Sequence, residues 1–292
     1  MYQFRNGNEL ISLCQQHEID IYELMVRCEM EESGSTRQEI WDLMQSNFQV
    51  MQEAIIKGLN PDLKSVGGLV GGNANRLKLR LEQENFCGKT MLKAMAYALA
   101  VSEFNAAMGK IVAAPTAGAS GILPGIIVAL KEDKGYTQEE GIKALFVAGA
   151  VGKIIATNAT LSGAEGGCQA ECGSAAAMAA AAAVYLAGGS PESSLGAAAI
   201  ALKGLLGLVC DPVAGLVEVP CSKRNGTTVA TALASADMAL AGIKSYIPFD
   251  EVVEAMYRVG KLMAVDLRET AAGGCAITPT ALRYAQEALQ DE

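Results

Sequence analysis

Apolar residues recur at helical rather than strand spacing along most of this 292-residue chain. Ile21, Leu24, Met25 and Cys28 mark one face of a helix over residues 20–32. Ser35-Thr36-Arg37-Gln38 has the spacing of a capping box and opens a helix reaching about residue 58. Thr137-Gln138-Glu139-Glu140 repeats that device for a helix through residue 154. Ser190-Pro191 supplies an N-cap and a proline at the first helical position, launching a helix towards residue 209, and Thr278-Pro279 does the same for the last helix. Residues 227–243 and 250–264 read as two more helices. No run alternates apolar and polar residues as a half-buried strand does. Small residues at helical spacing (Gly149, Gly152; Ala176 to Ala183; Ala232, Ala234, Ala236) let helix axes approach closely. The expected fold is all-α, a glycine- and alanine-rich helical domain with loops between the helices. The first helices, residues 1–58, are expected to form a unit packed on a main domain of residues 59–292, joined through Gly58-Leu59-Asn60-Pro61.

Composition narrows the function classes. The hydrophobic fraction is 51% with only 5% aromatic residues, a balance that favours tightly packed helices over sheets. Net charge is −9 without a basic run, which argues against nucleic-acid binding. No apolar secretory core follows a basic start, and the alanine-rich stretch at 175–187 is too short to span a bilayer. A soluble, cytoplasmic protein is expected. The eight cysteines are then thiols or metal ligands rather than disulfides. The single histidine, His17, lies in a charged helical stretch, which excludes a histidine-rich zinc site and disfavours a Ser-His-Asp triad.

Three loops are too rich in glycine and small polar residues to be simple connectors: residues 67–73, 114–125 and 163–173. Glycine lets backbone N–H groups approach a ligand, and such loops suit a small anion such as a substrate carboxylate. Thr116 and Ser120 add hydroxyl donors in the second loop, while the first reads equally well as tight turns. Gly88-Lys89-Thr90 is not a phosphate loop, because the glycine required five residues earlier is Gln83. Gly152-Lys153 fails the same test at Val147. Cys14, Cys28 and Cys87 fit burial as small apolar residues, whereas Cys168, Cys210 and Cys221 are flanked by turn-forming residues and read as loop cysteines able to share a metal centre.

Four strings carry a family resemblance: Ala113-Ala-Pro-Thr-Ala-Gly-Ala-Ser-Gly-Ile-Leu-Pro-Gly125, Glu165-Gly-Gly-Cys-Gln-Ala-Glu171, Cys210-Asp-Pro-Val-Ala-Gly-Leu-Val-Glu-Val-Pro-Cys-Ser-Lys-Arg-Asn225 and Arg268-Glu-Thr270. From about residue 60 onward the chain resembles the α subunit of the iron–sulfur-dependent L-serine dehydratases. The resemblance implies a [4Fe–4S] cluster held by Cys168, Cys210 and Cys221, with Thr116 and Ser120 contacting substrate. Cys172 and Cys275 stand where relatives carry aliphatic residues and are not expected to be ligands, Cys172 being expected to pack or to support the ligands from behind. The chain ends Leu-Gln-Asp-Glu rather than in the cysteine that closes the free iron of some single-chain relatives, so that iron is expected to stay open as a Lewis acid. Water would be eliminated from L-serine to give pyruvate and ammonia. Relatives carry a histidine segment on a separate β chain, so the general base and part of the carboxylate site are expected from a partner. Glu165, Glu171 and Lys223 adjoin the ligands and read equally as tuning residues or as ordinary cap and surface residues. Threonine or cysteine as substrate, an iron–sulfur protein without turnover, and a pyridoxal-phosphate lyase using Lys89, Lys110 or Lys153 stay open as rivals.

Overall fold

The computed structural model describes residues 1–288, and their architecture is all-α. The chain runs through α1 (Gly7–His17), α2 (Ile21–Ser33), α3 (Arg37–Gly58), α4 (Asn73–Leu79), α5 (Lys89–Ala106), α6 (Ile122–Lys134) and α7 (Gln138–Asn158). It continues through the short α8 (Gly163–Gly166), α9 (Ser174–Leu186), α10 (Pro191–Lys203), α11 (Cys221–Leu240), α12 (Phe249–Leu262) and α13 (Pro279–Ala288). No strand forms among the described residues, which contain only an isolated parallel bridge between Cys210 and Arg268.

The alanine-rich α9 is the central post. Every residue from Ser174 to Val184 is buried, and α6, α7, α10 and α11 surround it. Short side chains on all faces let four neighbours close on one axis at interior packing density. The N-terminal helices join the same apolar cluster: Phe4, Leu10, Ile21, Leu24 and Phe48 are continuous with the buried face of α7. No described helix is long and apolar enough to cross a membrane.

Local signals place most helix starts. Thr137 caps α7 with a full capping box to Glu140. At α3 the box is one residue later than the spacing suggested, Thr36 with Glu39, because the Glu39 carboxylate accepts from the Thr36 amide at 2.8 Å while Gln38 turns to Asp42. Two boundaries differ further. Helix α10 stops at Lys203, and residues 204–209 turn away from it towards the cysteine face. Helix α11 begins at Cys221, six residues before the expected start, so Cys221 opens a helix rather than sitting in a loop.

Candidate active site

Three separate elements carry the three cysteines to one end of the bundle. Cys168 stands between α8 and a π-helical turn, Gln169–Gly173, that runs directly into α9. Such wide turns are uncommon and concentrate at functional sites. The fully buried Gln169 fixes it: its amide donates to the Met256 carbonyl at 3.0 Å and accepts from the Gly207 amide at 2.9 Å. Cys210 lies in the isolated bridge, donating its N–H to Leu267 O at 2.9 Å and accepting from Glu269 N at 2.7 Å. Cys221 is the first residue of α11.

One helical turn beyond Cys221, two side chains bind these pieces together. Arg224 donates to the Val209 carbonyl at 2.8 Å and pairs with Asp211 at 2.8 Å, so it clasps both neighbours of Cys210. Asp211, itself buried, also accepts from the Cys275 amide at 2.6 Å. Asn225 is fully buried and reaches the other way. Its Nδ2 donates to Gly118 O at 2.7 Å and Cys221 O at 3.0 Å, and its Oδ1 accepts from Gly121 N at 3.0 Å. The loop at 114–121 is thereby pinned against the start of α11.

Glu171 occupies the space between that loop and the cysteines. Thr116 Oγ1 donates to Glu171 Oε1 at 2.7 Å, and the Cys210 thiol faces Oε2 at 3.7 Å. Gly163 makes room for it: a Cβ there would stand 2.6 Å from Oε2 and 3.1 Å from Cys210 Sγ. Burial raises the Glu171 carboxyl, with the Thr116 hydrogen bond pulling it partly back. The thiols share one field. Burial, then the charges of Glu171 and Cys168, push Cys210 far above the ordinary thiol value. Burial and the Cys168 charge push Cys221 up to about 12. Cys168 and Cys172 touch, Sγ to Sγ 3.3 Å, a contact that lowers Cys168 and raises Cys172.

The expected substrate hydroxyls divide. Thr116 is linked to Cys210 through Glu171, whereas Ser120 is fully buried and donates to Ala117 O at 2.8 Å, shaping the loop from within. The amides of Thr116, Ala117, Gly118 and Ala119 have no acceptor among the described residues. In the first glycine-rich loop the donors are taken. The buried Glu218 carboxylate accepts from Ser65 Oγ at 2.5 Å, Gly67 N at 2.7 Å and Leu69 N at 2.9 Å. A Cβ at Gly67 would meet Glu218, Leu216 and Tyr284 within 3 Å. That loop is built around an anion of its own chain.

Other assignments sort by position. Glu165 and Lys223 are exposed. Cys14 and Cys28 are buried as expected, but Cys87 is exposed, because it lies in the polar turn before α5 rather than on a packed face. Cys275 is exposed, and its backbone amide donates to Asp211. His17 stacks on Tyr2 at 4.8 Å between ring centroids. The C-terminal Leu-Gln-Asp-Glu lies outside the described residues. Sequence reasoning missed Gln169, Asp211, Glu218 and the pinning role of Asn225. All four sit in or beside the recognised strings, where a polar residue among turn formers was the available signal.

Residues 16–276 match the family described as serine dehydratase alpha chain. The chain belongs to that family. Among serine dehydratase alpha chains it is 51% identical over 278 residues to the probable L-serine dehydratase alpha chain of Bacillus subtilis, a match covering 95% of this chain and 92% of the relative. It is 43% identical over 286 residues to the L-serine dehydratase alpha chain of Peptoniphilus asaccharolyticus, covering 98% of each. The L-serine dehydratase of Streptomyces coelicolor is 39% identical over 283 residues, covering 94% of this chain but only 61% of that longer protein.

Proposed function

We propose that this serine dehydratase alpha chain forms, with a separate β chain, an iron–sulfur enzyme that converts L-serine to pyruvate and ammonia. The observation that carries the reading is the convergence of Cys168, Cys210 and Cys221 from three elements into one electrostatic field beside Glu171. The donor set suits the group: soft, largely buried thiols select iron–sulfur centres. No three His, Cys, Asp or Glu side chains among the described residues converge on one point closely enough for a single ion. A polynuclear centre distributes its cysteines over different irons and needs no such convergence. The glycine at position 163 keeps the space beside Cys210 free of a side chain.

A bound cluster supplies a Lewis-acidic iron for the departing hydroxyl. The chain's own part is binding and alignment. The unpaired amides of residues 116–119 offer a cradle for the substrate carboxylate, and Asn225 holds that cradle in register with Cys221. Thr116 fixes the Glu171 rotamer at the edge of the same space. The general base is assigned to the β chain. The names of the Bacillus and Peptoniphilus relatives, and the longer Streptomyces protein of which this chain spans 61%, support a second component.

Anaerobic co-purification with the β chain, followed by iron and sulfide determination and a pyruvate assay, tests the reading. Replacing Cys168, Cys210 or Cys221 by serine is expected to abolish both the cluster absorbance and pyruvate formation. Retention of both in any of the three variants overturns it. The isolated α chain is expected to bind the cluster without turnover, and full activity of that chain alone refutes the β-chain assignment.

A further inference from the structure

The cysteine face holds a carboxylate, Glu171, with no ion-pair partner among the described residues. The guanidinium whose field reaches it, Arg224, is engaged with Asp211 and the Val209 carbonyl. Glu269 adds a second negative charge nearby. Glu171 is nevertheless held in one orientation, by Thr116 on Oε1, and two glycines clear its surroundings. A Cβ at Gly118 would stand 3.2 Å from Oε1, and one at Gly163 would stand 2.6 Å from Oε2. It is only partly buried. The loop packed against it at Gly118 contains the amides of residues 116–119, which have no acceptor among the described residues. A fixed anion beside a row of backbone donors complements a molecule carrying both a cation and a carboxylate.

We infer that Glu171 is the receptor for the α-ammonium group of the substrate, and so the residue that selects α-amino acids over their α-hydroxy counterparts. The inference rests on the proposed serine dehydratase reading and names how its site discriminates. Glu171 takes no proton and forms no bond in this role. Its charge and position orient the amino acid, with the carboxylate on the amides of residues 116–119 and the ammonium on Oε2.

The test uses the cluster-loaded complex with the β chain, in wild type and Glu171→Gln, which keeps the shape and the Thr116 hydrogen bond but removes the charge. L-alanine and L-lactate are the probes, identical except for ammonium against hydroxyl. Glu171→Gln is expected to raise KM for L-serine roughly 10- to 100-fold, the effect of losing a hydrogen bond to a charged group. The kcat is expected to change far less, as for a group acting on bound substrate and transition state alike. Calorimetry is expected to show L-alanine binding weakened by the same factor and L-lactate binding unchanged. Unaltered L-alanine affinity, or equal loss for both probes, overturns the inference. If Glu171→Gln fails to retain the cluster absorbance, Glu171→Asp takes its place: its shortened carboxylate must still prefer L-alanine over L-lactate, and loss of that preference with an intact cluster sinks the idea. A wild-type complex that prefers L-alanine through Glu171 yet makes no pyruvate from L-serine strikes the proposed reaction and leaves the ammonium receptor standing.

Discussion

In the loop at residues 65–70, the amides of Gly67 and Leu69 close on the Glu218 carboxylate of the same chain. In the loop at residues 116–119, four successive amides have no acceptor among the described residues. Both segments belong to glycine-rich loops that suit an anion by composition, the first reading equally well from sequence as tight turns. Only the first has its anion built in. Composition therefore identifies a loop able to hold an anion, while a residue about 150 positions away decides whether that anion is structural or foreign.

The largest way to break the comparison is to empty the first loop. Glu218→Ala leaves two backbone N–H groups without their acceptor and the buried Ser65 hydroxyl with only the Val70 carbonyl, and is expected to cost about 3–5 kcal/mol in denaturant unfolding. A loss below about 1 kcal/mol would mean that the loop does not depend on its internal anion. Next, Asn225→Ala releases the second loop from α11 by deleting three hydrogen bonds. Here about 2–3 kcal/mol is expected, together with a fall in serine turnover at unchanged cluster content. Turnover equal to wild type would show that the register of the loop on α11 is immaterial.

Thr116→Val removes one hydrogen bond to Glu171 while keeping the shape. About 1 kcal/mol of stability is at stake, and the kinetic effect is expected in KM, in the same direction as Glu171→Gln and smaller. The smallest effect is a control remote from both loops. Burial alone would raise Glu23 and Asp133, but hydrogen bonds from Arg37 and Arg27 to the first, and from Lys93 to the second, outweigh it and hold both carboxyls below their usual range. Folded values below the unfolded ones contribute stability that is fully present above the unfolded carboxylate range and is lost as pH falls below about 4. The unfolding free energy is therefore expected to stay level from pH 7 to 5. A decline already in that interval would point to a group other than these two.

What could be read from the chain follows the range of the interactions involved. The α7 start was legible because Thr137 and Glu140 complete a cap within four residues. The α3 start slipped by one because Gln38 and Glu39 each offer a box, and only the carboxylate accepts from the cap amide. The early start of α11 was not legible: Pro220, Cys221 and Gly226 look like loop residues locally. Arg224 and Asn225 hold that first turn against segments that sequence alone does not place beside it. Cys168, Cys210 and Cys221 were singled out by their turn-forming surroundings and by the family strings, yet Cys221 opens a helix rather than lying in a loop. Glu171 was in view without a decisive role, because its meaning comes from Thr116 and Gly163, two residues on other elements. Ser120 looked like a ligand-facing donor, yet its hydroxyl serves the loop itself.

The backbone pairing of Cys210 with Leu267 and Glu269 has a consequence for how the molecule matures. During synthesis, every thiol of the trio has been made while the segment that anchors the middle one is still untranslated. The backbone around Cys210 thus acquires its final pairing only once residue 269 has been made.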